Sequence, residues 1–119
     1  MTKTAQQMKI LKRGDKTIAI LSLVGDPLGE PDAMLLRKKI STVINDHVHH
    51  VIIDLTDVKH INSAGLGGLI SAMCSMLRVG GAVFFANANT HVTDTFRITH
   101  LDQVFNTFKS VDDALKNSE

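Results

Sequence analysis

A chain of 119 residues, 44% hydrophobic and 21% charged with a formal net charge of +1, has the size and composition of one soluble globular domain rather than of a disordered or membrane-spanning protein. Lys and Arg are scattered without a dense run, and Trp and Tyr are absent, so the basic stripe with aromatic platforms common in nucleic-acid binders is missing and no nucleic-acid partner is expected. Residues Met1 to Arg13 hold no apolar signal-like core, and no apolar run approaches the roughly 20 residues that cross a bilayer; the expectation is a cytoplasmic protein with no membrane partner.

Met8 to Lys12 and Thr17 to Val24 are β-prone runs separated by Arg13-Gly14-Asp15-Lys16, which predicts an antiparallel hairpin. Pro27, Gly29 and Pro31 interrupt the chain. Asp32 to Asp46 then places Ala33, Leu36, Ile40, Val43 and Ile44 at helical spacing, with Arg37-Lys38-Lys39 on a solvated face and His47, His49 and His50 near the helix end. Val51 to Leu55 reads as a strand buried on both faces.

Leu66, Leu69, Ile70, Met73 and Leu77 predict a second amphipathic helix that stops at Gly80-Gly81, and Ala82 to Ala86 predicts the next buried strand. Asn89 to Thr99 follows as a short helix with Val92, Phe96 and Thr99 inward. Val104-Phe105 is expected to begin a last strand. Ser110-Val111-Asp112-Asp113 has the form of an N-cap with an acidic first turn, opening a final helix with Ala114 and Leu115 inward. Strands alternating with helices after a hairpin define an α/β fold with a mixed, mostly parallel sheet. Cys74, alone and inside a helical pattern, is expected to be a packed, inert thiol.

The chemistry concentrates at Asn62-Ser63-Ala64-Gly65-Leu66-Gly67-Gly68, where a buried strand, a turn and a helix meet. Either Asn62 or Ser63 suits the N-cap. Gly65, Gly67 and Gly68 would keep the surface beside the Ser63 hydroxyl low, open to another backbone or a phosphate. A phosphoryl group on Ser63 would add about −1.5 to −2 charge where the helix dipole tolerates it, and would disturb a partner packed there more than the fold itself.

Asn62-Ser63-Ala64-Gly65-Leu66-Gly67 closely resembles the Asp-Ser-Ser/Thr/Ala-Gly-Leu-Gly signature of STAS domains, above all the small bacterial anti-sigma factor antagonists. The resemblance also takes in Asp54-Leu55 and Val58, Gly80-Gly81, Ala86-Asn87, and the closing pattern of Val92, Phe96, Leu101, Val104, Phe105, Ser110, Ala114 and Leu115. It implies a single STAS domain over residues 8–118 behind a short extension 1–7, with an opening hairpin and about four helices. By the same resemblance Ser63 is the phosphoacceptor of an anti-sigma factor that is also a serine kinase. The unphosphorylated protein binds that kinase and frees a sigma factor, the phosphorylated one lets go, and a phosphatase resets it. Asn62, Ser63, Ala64, Gly65, Leu66 and Gly67 would face the partner, with Asp26 and Glu30 as candidates at its edge.

Three departures from the family pattern stand out. Asn62 replaces the Asp before the serine. Ala64 replaces a second hydroxyl residue. In Val24-Gly25-Asp26-Pro27-Leu28-Gly29-Glu30-Pro31-Asp32-Ala33 the usual Gly-Glu-Leu/Ile-Asp is interrupted by prolines, so Asp26 is the candidate for the first acid while Glu30 and Asp32 compete for the second.

The rival readings are weaker. Ile61 stands where a Gly-x-Ser-x-Gly elbow needs its first glycine, so a Ser63 nucleophile with His60 as base lacks its motif. Gly65-Leu66-Gly67-Gly68 lacks the Walker lysine and the Rossmann spacing of a nucleotide site. His47, His49 and His50 lack a second ligand group for a metal. No catalysis, metal or cofactor is expected. The remaining alternative is a STAS subunit of a larger signalling assembly whose serine is never modified.

Overall fold

Strand β1 (Gln6–Arg13) turns through Gly14-Asp15 into β2 (Lys16–Gly25) in a computed structural model that describes residues 6–118. The two strands pair antiparallel from Gln6↔Leu23 to Arg13↔Lys16, and Gly14 has φ +61°, the left-handed value demanded at the first position of a two-residue hairpin turn. Helix α1 (Glu30–Asn45), strand β3 (His50–Val58), helix α2 (Ser63–Arg78), strand β4 (Ala82–Ala86), helix α3 (Thr90–Ile98), a 3-10 turn at Leu101–Gln103, strand β5 (Asn106–Phe108) and helix α4 (Val111–Asn117) follow. Among the described residues the strands form one sheet in the order β1-β2-β3-β4-β5, with every pair after the hairpin parallel.

The expected α/β fold, opening hairpin and four helices are therefore present. Of the expected extension, residues 1–5 lie outside the described residues, whereas Gln6 and Gln7 already pair with β2. The central position of β3 explains its composition. Val51, Ile52, Ile53, Leu55 and Val58 are all fully buried, because a strand flanked by parallel neighbours is covered on both faces.

The larger core joins Ala19, Leu21 and Leu23 of β2 and Val51, Ile53 and Leu55 of β3 to Leu36 and Ile40 of α1, Leu69 and Met76 of α2 and Phe96 of α3. On the other side Ile18, Ile20, Ile52 and Ala86 meet Ala114 and Leu115 of α4. Helix α2 approaches α1 closely because Gly68 faces Ala33: a β-carbon there would lie 2.6 Å from the Ala33 side chain. The sequence pattern placed Leu77 on the inner stripe, yet Leu77 is 58% exposed and Met76 is buried. The contact with α1 rotates the small residues Gly65, Gly68 and Ala72 inward and turns part of the apolar stripe away. Cys74 is half-buried beside that stripe rather than fully packed.

Two further expectations are corrected near the end of the chain. Val104-Phe105 does not begin a strand. Phe105 donates its backbone N–H to the Leu101 carbonyl at 2.8 Å and packs its ring 4.3 Å from Phe85 and 5.1 Å from Phe96 between centroids, so its apolarity serves a turn that plugs the core. Thr99 points outward; its hydroxyl donates to the Thr95 carbonyl at 2.7 Å. The histidine run also resolves into separate roles. His47, at φ +60°, closes α1 while its N–H bonds Ile44 and that of Val48 bonds Val43, the Schellman arrangement of a helix end. His50 stacks on Phe84 at 6.4 Å.

Candidate functional site

Three loops meet at the carboxyl ends of β2, β3 and β4, the end at which parallel α/β sheets gather their functional groups. The β2–α1 loop, residues 26–29, lies beside the β3–α2 loop, residues 59–62. Lys59 donates its N–H to the Gly25 carbonyl at 2.8 Å, Leu28 to that of His60 at 2.8 Å, and Asn62 to that of Leu28 at 3.2 Å. Leu28, fully buried, anchors this extra ladder by pairing with Ile61. The third loop is tied in by Asn89, whose amide donates to the carbonyls of Val58 at 3.3 Å and Lys59 at 3.2 Å. Its Oδ1 accepts from Val92 at 2.8 Å and so caps α3.

Ser63 is the first residue of α2, and the helix is capped by its neighbour. Asn62 Oδ1 accepts the N–H of Gly65 at 3.0 Å, satisfying one of the orphan donors of the first turn. The Ser63 hydroxyl is exposed and makes no hydrogen bond to another described residue. Of the two cap candidates, Asn62 does the work and Ser63 is left unoccupied. An Asn in place of the family's Asp keeps the acceptor oxygen and gives up only the charge.

The glycines behave differently from one another. Gly67 is exposed with open space where a β-carbon would stand, but a β-carbon on Gly65 would lie 2.1 Å from the Leu28 carbonyl oxygen. Gly65 and Gly68 are thus packing positions, contrary to the expectation that all three keep the outer surface low; Gly67 alone does so. Asn62, Ser63 and Gly67 are exposed, Ala64 and Leu66 are half-buried, and Leu66 packs against the core.

Asp26 lies at the same site despite the irregular spacing around Pro27. Its carboxylate is 2.8 Å from Nδ1 of His60, both side chains being more than half exposed. The hydrogen bond from His60 pulls the Asp26 carboxyl below its usual range, against a smaller raising effect of desolvation and with help from the charges of His60 and Lys59. His60 in turn lies 4.8 Å from His91 of α3, ring to ring. Glu30 is exposed on the first turn of α1, whereas Asp32 folds back to accept the N–H of Gly29 at 2.9 Å. Asp32 is committed to capping, which leaves Glu30 as the outward acid. The Leu28 anchor and the His60–His91 contact have no local sequence signature, since each joins segments distant along the chain. Asn89 could have been read as a cap.

Asp26, His60 and Ser63 evoke a catalytic triad in composition only. His60 makes no hydrogen bond to the Ser63 hydroxyl, and the nucleophile–base contact on which such chemistry depends is not formed. Among the described residues no cluster of three or more His, Cys, Asp or Glu side chains could hold a metal ion, and no helix is long and apolar enough to cross a membrane.

Known proteins share this fold. The chain is 24% identical over 98 residues, covering 82% of its length and 87% of the relative's, to the TM1081 homologue of Thermotoga neapolitana, whose name assigns it to the anti-sigma factor antagonists. It superposes on the crystal structure of TM1081 from Thermotoga maritima with a TM-score of 0.75 at 20% identity over 92% of each chain. With the phosphorylated form of the Bacillus cell fate determinant SpoIIAA the TM-score is 0.72 at 21% identity, over 97% of this chain and all of that one (100%). The STAS domain model matches residues 9–114, and with the sheet order and the capped Ser63 turn already described, the chain belongs to the STAS domain family.

Proposed function

We propose that this protein is an anti-sigma factor antagonist working by partner switching in the cytoplasm. It binds an anti-sigma factor that carries serine-kinase activity and releases it when Ser63 is phosphorylated, with a phosphatase restoring the binding form. The observation that carries this reading is the division of labour at α2: Asn62 caps the helix, so the exposed Ser63 hydroxyl can be modified without removing a structural hydrogen bond. A phosphoryl group there would sit at a helix N-terminus, where the dipole and unpaired N–H groups favour negative charge. The partner would rest on Asn62, Ser63, Gly67 and the flanks of Ala64 and Leu66, with Asp26 and Glu30 at the rim. Gly65 supports this surface from beneath.

The relatives agree with this reading in two respects: they carry the name of anti-sigma factor antagonists, and one was solved in a phosphorylated form. The test is incubation of the full chain with candidate anti-sigma kinases and ATP, read by intact mass and by co-elution. One added phosphate, absent in Ser63→Ala and accompanied by loss of kinase binding, is the expected result. Binding with no phosphate would point instead to a STAS subunit of a larger assembly whose serine is never modified.

A further inference from the structure

We infer that the outer edge of β1 is a second interaction surface, built to receive an extended segment of a partner protein in which apolar and acidic residues alternate. Among the described residues β1 pairs with β2 alone, so one side of an eight-residue strand keeps its backbone donors and acceptors unpaired. The opposite edge of the sheet, β5, has three residues. Short edges resist strand addition and long ones invite it.

The hairpin fixes which groups are available. The pair flanking a two-residue turn, Arg13↔Lys16, is a hydrogen-bonded pair, and such pairs alternate along the ladder. With the register Leu11↔Ile18 and Lys9↔Ile20, the backbones of Leu11 and Lys9 point to β2, and those of Lys12, Ile10 and Met8 point away from it. The side chains divide as well. Met8 and Ile10 share a face with Gln6, whose amide reaches the Asp32 carbonyl of α1, and they are 38% and 47% exposed. Lys9 is on the opposite face, with Leu11, which packs toward α4.

Charge selects the occupant. β1 carries Lys9, Lys12 and Arg13 and no acidic residue. Pairing with a second copy would gather two sets of these cations along one seam, and lysines on an edge oppose self-association. An incoming strand with apolar side chains over Met8, Ile10 and the aliphatic stem of Lys12, and carboxylates beside Lys9 on the opposite face, satisfies both faces. This is strand addition, with main-chain hydrogen bonds giving affinity and side chains giving selectivity.

The test uses the full chain and two capped synthetic peptides long enough to lie along β1, one alternating glutamate with valine, the other lysine with valine. Amide exchange is followed by NMR. At near-saturating glutamate–valine peptide and low salt, the N–H groups of Met8, Ile10 and Lys12 are expected to exchange about tenfold more slowly, those of Lys9 and Leu11 being protected throughout. The lysine peptide should have no effect. The substitution Lys9→Glu should remove the preference. Ile10→Pro should abolish binding while leaving the β1–β2 ladder in place, because the N–H it removes faces outward. No protection of these amides, equal protection by both peptides, or protection that appears with protein concentration alone would overturn the proposal, the last by showing a second copy as the occupant.

Discussion

Asn62 Oδ1 and the backbone N–H of Gly65 are 3.0 Å apart, and that one bond decides that Asn62 holds α2 while the exposed Ser63 does not. Had Ser63 been the cap, its modification would have cost the helix an interaction. With Asn62 in that position, the cap and the proposed switch are separate residues.

Removing the cap should therefore be felt in stability and not in chemistry at Ser63. Asn62→Ala is expected to lower unfolding free energy by about 1 kcal/mol, and Asn62→Asp, which keeps the acceptor and adds a charge at the helix start, should be neutral or slightly stabilising. Urea denaturation of both variants measures this. Equal losses in the two would show that the amide's own donors, rather than the cap, are what matter.

Ser63 itself should be thermodynamically quiet. Ser63→Ala and Ser63→Asp are each expected to change stability by less than about 0.5 kcal/mol, as exposed positions without special bonds usually do. Calorimetry of the isolated protein reads this directly, and a loss comparable to that of Asn62→Ala would return Ser63 to a structural role.

The neighbouring glycines provide an internal contrast. Gly65→Ala drives a methyl to 2.1 Å from a buried carbonyl oxygen, so a loss of about 2–4 kcal/mol is expected. Gly68→Ala should also destabilise, because its methyl meets Ala33 at 2.6 Å. Gly67→Ala meets open space and should stabilise by up to about 1 kcal/mol through helix propensity. Denaturation midpoints for the three variants distinguish packing from exposure at residues two apart.

Acid should weaken the fold in two separable stages. His50 is held below its ordinary value of 6.5 first by burial and then by Lys16 and His49. As pH falls through that range the unfolded chain takes up the proton before the folded one, so stability declines. The Asp26 carboxyl is held below 3.8 chiefly by the hydrogen bond from His60. Its contribution is fully present above 3.8 and disappears as pH falls below that value. Comparing pH–stability curves of the native chain with His50→Gln and Asp26→Asn should remove the upper and lower stage respectively.

Much of this architecture was legible in the residues alone. The continuous apolar run of β3, the Ala82–Ala86 strand, the stop at Gly80 and the cap at Ser110 are local signals, set by periodicity and by the conformations that Gly and Ser favour. The failures share one cause. Apolarity alone predicts a strand at Val104-Phe105 and an inward Leu77, yet Phe105 packs on Phe85 and Phe96 and the inward face of α2 is set by how closely it approaches α1.

The sequence by itself determined the α/β order of elements, the family and the serine at the start of α2, because short-range patterning suffices to encode them. Tertiary structure alone decided which residue caps that helix, which glycines are buried, and that Asp26 meets His60 across 34 positions of chain. These depend on the Leu28–Ile61 bridge and on contacts between loops, and a contact between distant segments leaves no periodic trace in either one.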